Sequence, residues 1–386
     1  MKQEFDIPAL RQMAMDIKNA VTPKSVTADM VGSMLLALVE GQSEIIGTLE
    51  REKVTVRVNA YDGTQRVSAA TAKVYVDIFS VGGVPTEAMP RQELAVDENG
   101  EVSFEVYKGY QYALFSKIEG MGASFQFVYT AGQEERTINL WNMPVGIYVL
   151  GYASYENDTL GGVCRYVPLI SEDYCSNFYD RDDIDMEYDL QDDEYLEDSM
   201  LYGILVSTAD TSFAIESHST SAKQLPWTNN RYFAQSVPTM PLICENPADF
   251  DGDWNLAADD AISRARADFD GNLNTAKILS FYKEAPAAGY CSNIEGGKCR
   301  QVFLPSAGQL YLMYLNKEAI NTLMTAANAD DFEFDLIQDP WQSSWSSTQS
   351  DDIKAWYIRV YNGEMNMTHK YNDNYVRAVS AFHFIY

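Results

Sequence analysis

The first clear pattern along the chain is a helical one, over residues 5–50. Leu10, Met13 and Ile17 share one helix face, and the pair at 22–23, Thr-Pro, interrupts the pattern before a second helix begins. In the second helix, positions spaced alternately by four and three residues form the a/d seam of a short coiled coil. These positions are Val31, Leu35, Leu38, Gln42, Ile45 and Leu49. Two explanations stay open: amphipathic helices packed on their own domain, or an oligomerising stalk that anchors the chain to a particle.

From Val54 the hydrophobic period changes to two, which indicates half-buried strands. Asp97 to Gly100, with sequence Asp-Glu-Asn-Gly, supplies a turn between two of the strands, because Asn and Gly tolerate positive φ. So many short strands in a short stretch predict a β-sandwich over residues 53–141. The predicted strands are 54–58, 72–79, 102–106, 112–115, 124–129 and 137–140.

Beyond about residue 142 the pattern becomes mixed, which predicts an α+β region. Helices are expected at 257–284 and 306–327, and strands at 355–361 and 376–384. An acidic insertion occupies about 163–198, where Arg181 is the single basic residue between 172 and 198. Such a run is typical of a solvated loop, and a loop that loads cations is the alternative.

Charge narrows the range of partners. The chain of 386 residues has 28 basic and 56 acidic residues and a net charge of −28. Nucleic acids and anionic lipids would be repelled, so neither is expected as a partner. No apolar run is long enough for a signal-peptide core near the start or for a membrane helix later, so no membrane insertion is expected.

Residues with catalytic chemistry are sparse. The histidines are His218, His369 and His383, and no metalloprotease, nucleophile-elbow or phosphate-loop motif surrounds them, so we predict a protein that is not an enzyme. A pair of carboxylates of the glycosidase type stays open. Cys291 and Cys299 are candidates for either a small disulfide loop or reduced buried thiols.

One segment is a weak candidate for a calcium site. It has oxygen-bearing side chains at alternate positions, but its glycine stands at the fourth position of the loop and not at the sixth. A solvated loop with Asx-turns is the alternative, and a second Asp-Phe-Asp-Gly at Asp268 to Gly271 favours a repeated turn motif over two metal sites. The candidate ligands are Asp249, Asp251, Asp253, Asn255 and Asp260.

Two stretches carry resemblances to known families. The Asp97–Gly100 turn and the Gly-Tyr-Gln-Tyr sequence at 109–112 resemble Ig-like modules related to carboxypeptidase regulatory domains. The Leu-Pro-Ser at 304–306, Trp-Ser-Ser-Thr at 345–348 and Val-Arg-Ala-Val at 376–379 look like the C-type-lectin-like fold. That fold is shared by formylglycine-generating-enzyme-like domains, the DUF1566 group of adhesins and variable proteins diversified by retroelements. The catalytic cysteine pair of the enzymatic branch has no counterpart here, since no cysteine follows Cys299.

The lectin-like resemblance implies which C-terminal residues are framework and which meet a ligand. Trp345 and Trp356 are expected in the core, and Arg377 is expected to pair internally. Ligand contact is expected between the framework strands, where Tyr, Asn and Asp give contact area and adaptable hydrogen bonds, although ordinary loop composition explains the same residues. The candidates are Gln349, Asp351, Asp352, Tyr361, Asn366, His369, Tyr371, Asn372, Asp373, Asn374 and Tyr375.

The order of the parts resembles virion fibre proteins of phages that infect gut Bacteroidetes, including the crAss-like group. It implies a multidomain fold: an α-helical anchor or stalk at 1–52, an all-β Ig-like sandwich at 53–141 and an α+β C-type-lectin-like head at 142–386. The expected protein is a tail or head fibre in the virion, a homo-trimer that contacts other virion proteins through its N-terminal helices and a host glycan or protein through its head. The absence of a signal peptide fits this location. A purely structural head-fibre or decoration protein and a surface-glycan hydrolase are the alternatives.

Overall fold

The structure is a computed structural model, and it describes a defined part of the chain. The described residues are 51–61, 66–81, 84–85, 91–132, 137–154, 164–171, 200–216, 223–229, 235–294, 300–328, 337 and 343–382. The helices predicted at 5–50, the acidic stretch at 172–198 and the residues His218, His383 and Cys299 lie outside them. Among the described residues, Arg51, Glu52 and Glu105–Lys108 fall in one unit by their contacts, and the described parts of Lys53–Phe104 and Gly109–Tyr386 fall in the other.

Strands dominate the described residues, and helices are confined to their C-terminal half. The strands are β1 (Arg51–Tyr61), β2 (Arg66–Val67), β3 (Lys73–Val81), β4 (Val84–Pro85), β5 (Gln92–Ala95), β6 (Glu101–Tyr107), β7 (Tyr110–Lys117), β8 (Phe127–Thr130), β9 (Thr137–Asn142), β10 (Gly146–Ser154), β11 (Cys164–Ser171), β12 (Met200–Ser207), β13 (Ser212–Glu216), β14 (Gln224–Pro226), β15 (Arg300–Phe303), β16 (Ser343–Gln349), β17 (Lys354–Arg359), β18 (Glu364–His369), β19 (Asp373–Tyr375) and β20 (Val379–Phe382). The helices are α1 (Trp254–Arg266), α2 (Gly271–Phe281), α3 (Pro286–Ser292), α4 (Ala307–Leu315) and α5 (Lys317–Asn328), and a 3-10 turn covers Pro247–Phe250.

The N-terminal strands form two sheets. One has the order β2-β1-β6 with β9 beside β1, and the other has the order β4-β3-β7-β8 with β5 beside β3. β1 buries Val54, Val56 and Val58 and exposes the residues between them, as the period of two predicts. β7 of one sheet contacts β9 of the other. These strands therefore build a sandwich.

The predicted turn at 97–100 is confirmed. The carboxylate of Asp97 accepts hydrogen bonds from the backbone nitrogens of Asn99 and Glu101, at 2.8 and 2.9 Å. Gly100 has φ 77°, and a Cβ at this position would lie 3.0 Å from the carbonyl oxygen of Val58. Both the backbone conformation and the close approach favour glycine here.

The C-terminal strands form two further sheets. One has six strands in the order β11-β10-β12-β13-β20-β15, and the other has five in the order β14-β19-β16-β17-β18. α4 contacts β16 and β17, and α2 contacts β15 and β16. The described part of the chain is thus mostly β, with several sheets and a few C-terminal helices, as the coarse fold class predicted.

Several predicted element boundaries are wrong. The helix expected at 257–284 is two helices, because the first ends at Arg266 and the second begins at Gly271 and ends at Phe281. The helix expected at 306–327 is divided at Asn316 into α4 and α5. β8 begins at Phe127, since the Ser124 hydroxyl instead accepts a hydrogen bond from the backbone nitrogen of Ser116, at 2.8 Å. The strand expected at 376–384 is described only over Val379–Phe382.

Buried apolar side chains connect the sandwich to the C-terminal region. Phe125 and Trp141 belong to the same core cluster as Phe213, Phe303 and Trp356. Trp345 belongs to a second cluster with Trp227, Val237, Ile278 and Cys291. The predicted core positions of Trp345 and Trp356 are confirmed, since they are 0% and 1% exposed. Cys291 is a free, buried thiol in the structure, whereas Cys299 lies outside the described residues, so both alternatives for this pair stay predictions.

Candidate functional site

The predicted ligand residues converge at one end of the five-stranded sheet, where two turns lie side by side. The first turn, 350–353, joins β16 to β17, and the second, 369–372, joins β18 to β19. Lys354 stands opposite His369 in the β17–β18 register, and the backbone nitrogen of Lys370 donates to the carbonyl oxygen of Ile353 at 2.9 Å. We call residues 350–353 and 369–372 the turn pair.

Asp351 shapes the first turn. One carboxylate oxygen of Asp351 accepts hydrogen bonds from the backbone nitrogens of Ile353 and Lys354, at 2.8 and 2.7 Å. This Asx-type turn projects Asp352 and Ile353 into solvent, and Ile353 is 46% exposed. Asp351 therefore supports the turn, while Asp352 and Ile353 are available to a ligand.

Aromatic and amide side chains form the second turn. The rings of His369 and Tyr371 are stacked, with centroids 5.1 Å apart and planes inclined by 13°. Asn372 closes the turn: its backbone nitrogen donates to the His369 carbonyl at 2.9 Å, and its side-chain amide donates to the Thr368 hydroxyl at 2.7 Å. The stacked rings are partly exposed and fixed by the turn, which suits them to contact a ligand.

Lys370 lies between these two rings in sequence, but its side chain is fully buried. Its ammonium group donates to the carbonyl oxygens of Gln235 and Asp352, at 3.1 and 3.2 Å. The same group lies 4.7 Å from the ring centre of Trp227, within cation–π range. Burial lowers the pKa of Lys370 to about 8, against the opposing attraction of Asp351 and Asp352.

The remaining predicted ligand residues lie elsewhere. Gln349 is completely buried, and its side-chain amide bonds the backbone of Val237 and Met240, so the structure gives it a role in the core. Tyr361 follows β17 at the opposite end of the sheet, and Asn366 lies mid-strand opposite Tyr357.

β19 contains the last three predicted ligand residues, which form one group directly after the turn pair. It pairs with β14 and with Ser344 of β16. The residues of β19 are Asp373, Asn374 and Tyr375.

Sequence reasoning missed Ile353, Lys370 and Trp227. Neither Ile353 nor Lys370 belongs to a helical or strand-like hydrophobic pattern in the sequence, so no pattern indicated a role for either residue. Their roles depend on contacts with residues far away in the chain, since Trp227 is 143 positions from Lys370. In the second turn, only the aromatic and amide residue types indicated a binding surface from the sequence.

The candidate calcium ligands are spread over a turn and a helix. Asp253 is the N-cap of α1 and accepts from the backbone nitrogens of Asn255 and Leu256, and Asp260 pairs with Arg264 at 2.7 Å. Asp249 accepts from the Asn246 amide at 2.7 Å. Asp251 has positive φ, at 51°. Among the described residues, no three His, Cys, Asp or Glu side chains are grouped so that they could hold a metal ion, so calcium binding stays a prediction.

The second Asp-Phe-Asp-Gly motif forms a polar junction between the sandwich and the C-terminal region. The carboxylate of Asp270 accepts two hydrogen bonds from Arg91, at 2.9 and 3.0 Å, and one from the Gln126 amide at 2.9 Å. Arg91 also contacts Asp77 of β3 at 2.8 Å. A small cleft of about 80 Å³ adjoins this junction and is lined by Arg91, Lys117, Gln126, Asp210 and Asp270, among others.

Asp268 of the same motif turns inward. The residue as a whole is half-buried, but three groups donate to its carboxylate: the Thr348 hydroxyl at 2.6 Å, the Asn274 amide at 3.0 Å and the backbone nitrogen of Asp270 at 3.0 Å. Burial and the nearby charge of Asp270 raise the pKa of Asp268 to about 6, although the three donors oppose the shift. The carbonyl oxygen of Asp268 accepts from the Ser306 hydroxyl at 2.6 Å. Asp268 therefore ties α2, the start of α4 and β16 together.

Comparison with known proteins gives distant structural similarity only. No family model matches the chain, and no curated protein matches it. A fimbrial protein from Bacteroides ovatus is 11% identical, with a TM-score of 0.37, over 86% of this chain and 71% of that protein. A double mutant of the shaft pilin SpaA from Lactobacillus rhamnosus GG is 10% identical, with a TM-score of 0.20, over 28% of this chain and 62% of the pilin. These scores are too low to bear on the function of this chain. Among the described helices, none has the length and apolar character needed to cross a membrane.

Proposed function

We propose that the chain is a virion fibre protein that uses the turn pair to bind a glycan or protein on the host cell surface. The observation that carries this proposal is the stacked His369–Tyr371 pair, held beside the exposed Asp352 and Ile353 on a hydrogen-bonded scaffold. Rigid rings supply contact area at low entropic cost, and neighbouring polar groups fix the orientation of a ligand through hydrogen bonds. Glycan recognition commonly needs both rings and polar groups.

The finer architecture belongs to the same proposal. We infer that the sandwich is an Ig-like module at 53–141 and that residues 142–386 form a C-type-lectin-like head, with a helical anchor at 1–52. The motifs at 304–306, 345–348 and 376–379 support this inference, and much of each is buried, as framework residues would be. A fibre of this kind would act as a homo-trimer, since three weak sites on one particle gain affinity through effective concentration.

Binding of the full chain to intact host cells and to extracted capsular glycans tests the proposal. We expect saturable binding that falls at least tenfold in Tyr371→Ala, because the substitution removes half of the stacked pair. Tyr361→Ala is the matched control, since Tyr361 is a partly exposed tyrosine at the other end of the same sheet. Equal loss in both variants would place the site elsewhere. Absence of binding at all concentrations would favour a purely structural fibre.

A further inference from the structure

One buried residue, Lys370, connects the two turns of the turn pair through contacts that need no ligand. Lys370 is 0% exposed, and its five polar contacts connect it to three segments, at 227–228, 235 and 352–353. Its backbone nitrogen holds the first turn at Ile353, and its carbonyl oxygen accepts from the backbone nitrogens of Trp227 and Thr228, at 2.8 and 3.1 Å. Its ammonium group binds the carbonyls of Asp352 and Gln235.

The neighbours of Lys370 are themselves fixed. The indole nitrogen of Trp227 donates to the carbonyl oxygen of Ser346 at 2.9 Å, so the ring under the ammonium group is locked to β16. The backbone nitrogen of Gln235 donates to the Tyr282 hydroxyl oxygen at 3.1 Å. The ammonium group thus joins the two turns to an aromatic and backbone frame that is held by its own hydrogen bonds.

We propose that Lys370 is the positioning residue of the turn pair: its buried ammonium group sets the distance between the Asp352–Ile353 apex and the His369–Tyr371 rings. The description of these turns as a binding surface rests on the proposed function, whereas the positioning itself does not. A methionine at 370 would keep the apolar stem and leave the Asp352 carbonyl without its donor. The first turn would then open more often, because it would lose this bond to the second turn and depend more on the backbone bond at Ile353.

Amide hydrogen exchange on the full chain measures this opening without a ligand. In Lys370→Met we expect exchange at 350–353 and 369–372 to accelerate about tenfold or more, while the central part of β16 is unchanged. Lys283→Met is the control, since Lys283 is an exposed lysine outside the sheet. Unchanged exchange in both turns would overturn the proposal, and so would equal acceleration throughout the sheet, which would make Lys370 a general core residue.

If Lys370→Met does not fold, Lys370→Arg decides the matter, because it keeps a charged donor but places it on a longer, planar group. Exchange in the two turns should again accelerate while the rest of the sheet is unchanged, and unchanged exchange in both turns would overturn the proposal. The cell-binding experiment with Tyr371→Ala is separate. Local acceleration in Lys370→Met without any cell binding would leave the positioning role standing and would contradict only the proposed function.

Discussion

At the scale of single residues, composition selected several side chains that the structure brings together, but it assigned roles unevenly. The aromatic and amide residues of 369–372 predicted a binding surface, and the structure places His369, Tyr371 and Asn372 together. Gln349 has the same polar character, but it is buried and bonds only the chain's own backbone. Residue type shows what a side chain can bind, whereas its orientation depends on strand register and on distant partners that a single sequence does not display.

The contribution of Asp268 to the stability of the folded chain should depend on pH. Its pKa is raised to about 6 in the folded chain, so the folded state binds a proton before the unfolded state does as the pH falls. The contribution of Asp268 to stability should therefore increase as the pH falls from 7 to 5, by on the order of 1 kcal/mol. Denaturant unfolding of the unmodified chain and of Asp268→Asn at both pH values measures the change in their difference.

The control for this titration is Asp259→Asn, which removes an exposed carboxylate from α1. Its difference from the unmodified chain should stay constant between the two pH values. A constant difference for Asp268→Asn as well would show that the three donors around its carboxylate outweigh burial, and that the group stays ionised throughout.

At the scale of elements, hydrophobic period predicted the strands well and the helix boundaries less well. β1, β3, β6, β7 and β9 lie where the hydrophobic pattern placed them. β1 buries every second residue, whereas β7 and β9 bury consecutive residues and are therefore covered on both faces. The helix expected at 257–284 is interrupted at 267–270, where the side chains of Asp268 and Asp270 bond partners in other elements. Local periodicity contains no information about such partners.

Arg91 connects β3 to the start of α2, and replacing it should show how much this connection stabilises the folded chain. Arg91 bridges Asp77 of β3 and Asp270 at the start of α2, and the side chains of these aspartates are 14% and 34% exposed. Arg91→Ala leaves both carboxylates without their cation, so we expect a loss of about 1–2 kcal/mol in the free energy of unfolding. Arg57→Ala is the matched control, because the Arg57–Glu101 pair lies within the sandwich and is more exposed. Its loss should be under about 1 kcal/mol. Equal losses would show that the junction adds no more than an ordinary surface ion pair.

At the scale of the whole molecule, the sequence suggested modules in a row, and the structure shows a shared core between the sandwich and the C-terminal region. Phe125 and Trp141 pack in one cluster with Phe213 and Phe303, and the Gln301 side chain pairs with the backbone of Val128 across the junction. A change of composition near residue 142 marks a change of secondary structure there, but it does not reveal which side chains cross the boundary. The predicted domain boundaries themselves stay predictions.

Oligomerisation is the prediction that belongs to the whole molecule. The resemblance to fibre proteins implies a homo-trimer, and the a/d seam at 31–49 is the candidate stretch for association, while a net charge of −28 on each chain opposes association. Light scattering should give about three times the 43.4 kDa of one chain, and the trimeric fraction should increase with ionic strength, because salt screens the repulsion. Leu38→Asp should abolish the trimer, since it puts three carboxylates into the seam, whereas Glu40→Gln, off the seam, should not. A monodisperse monomer at micromolar concentration and high salt would contradict the trimer, and host binding would then have to rely on the affinity of a single turn pair.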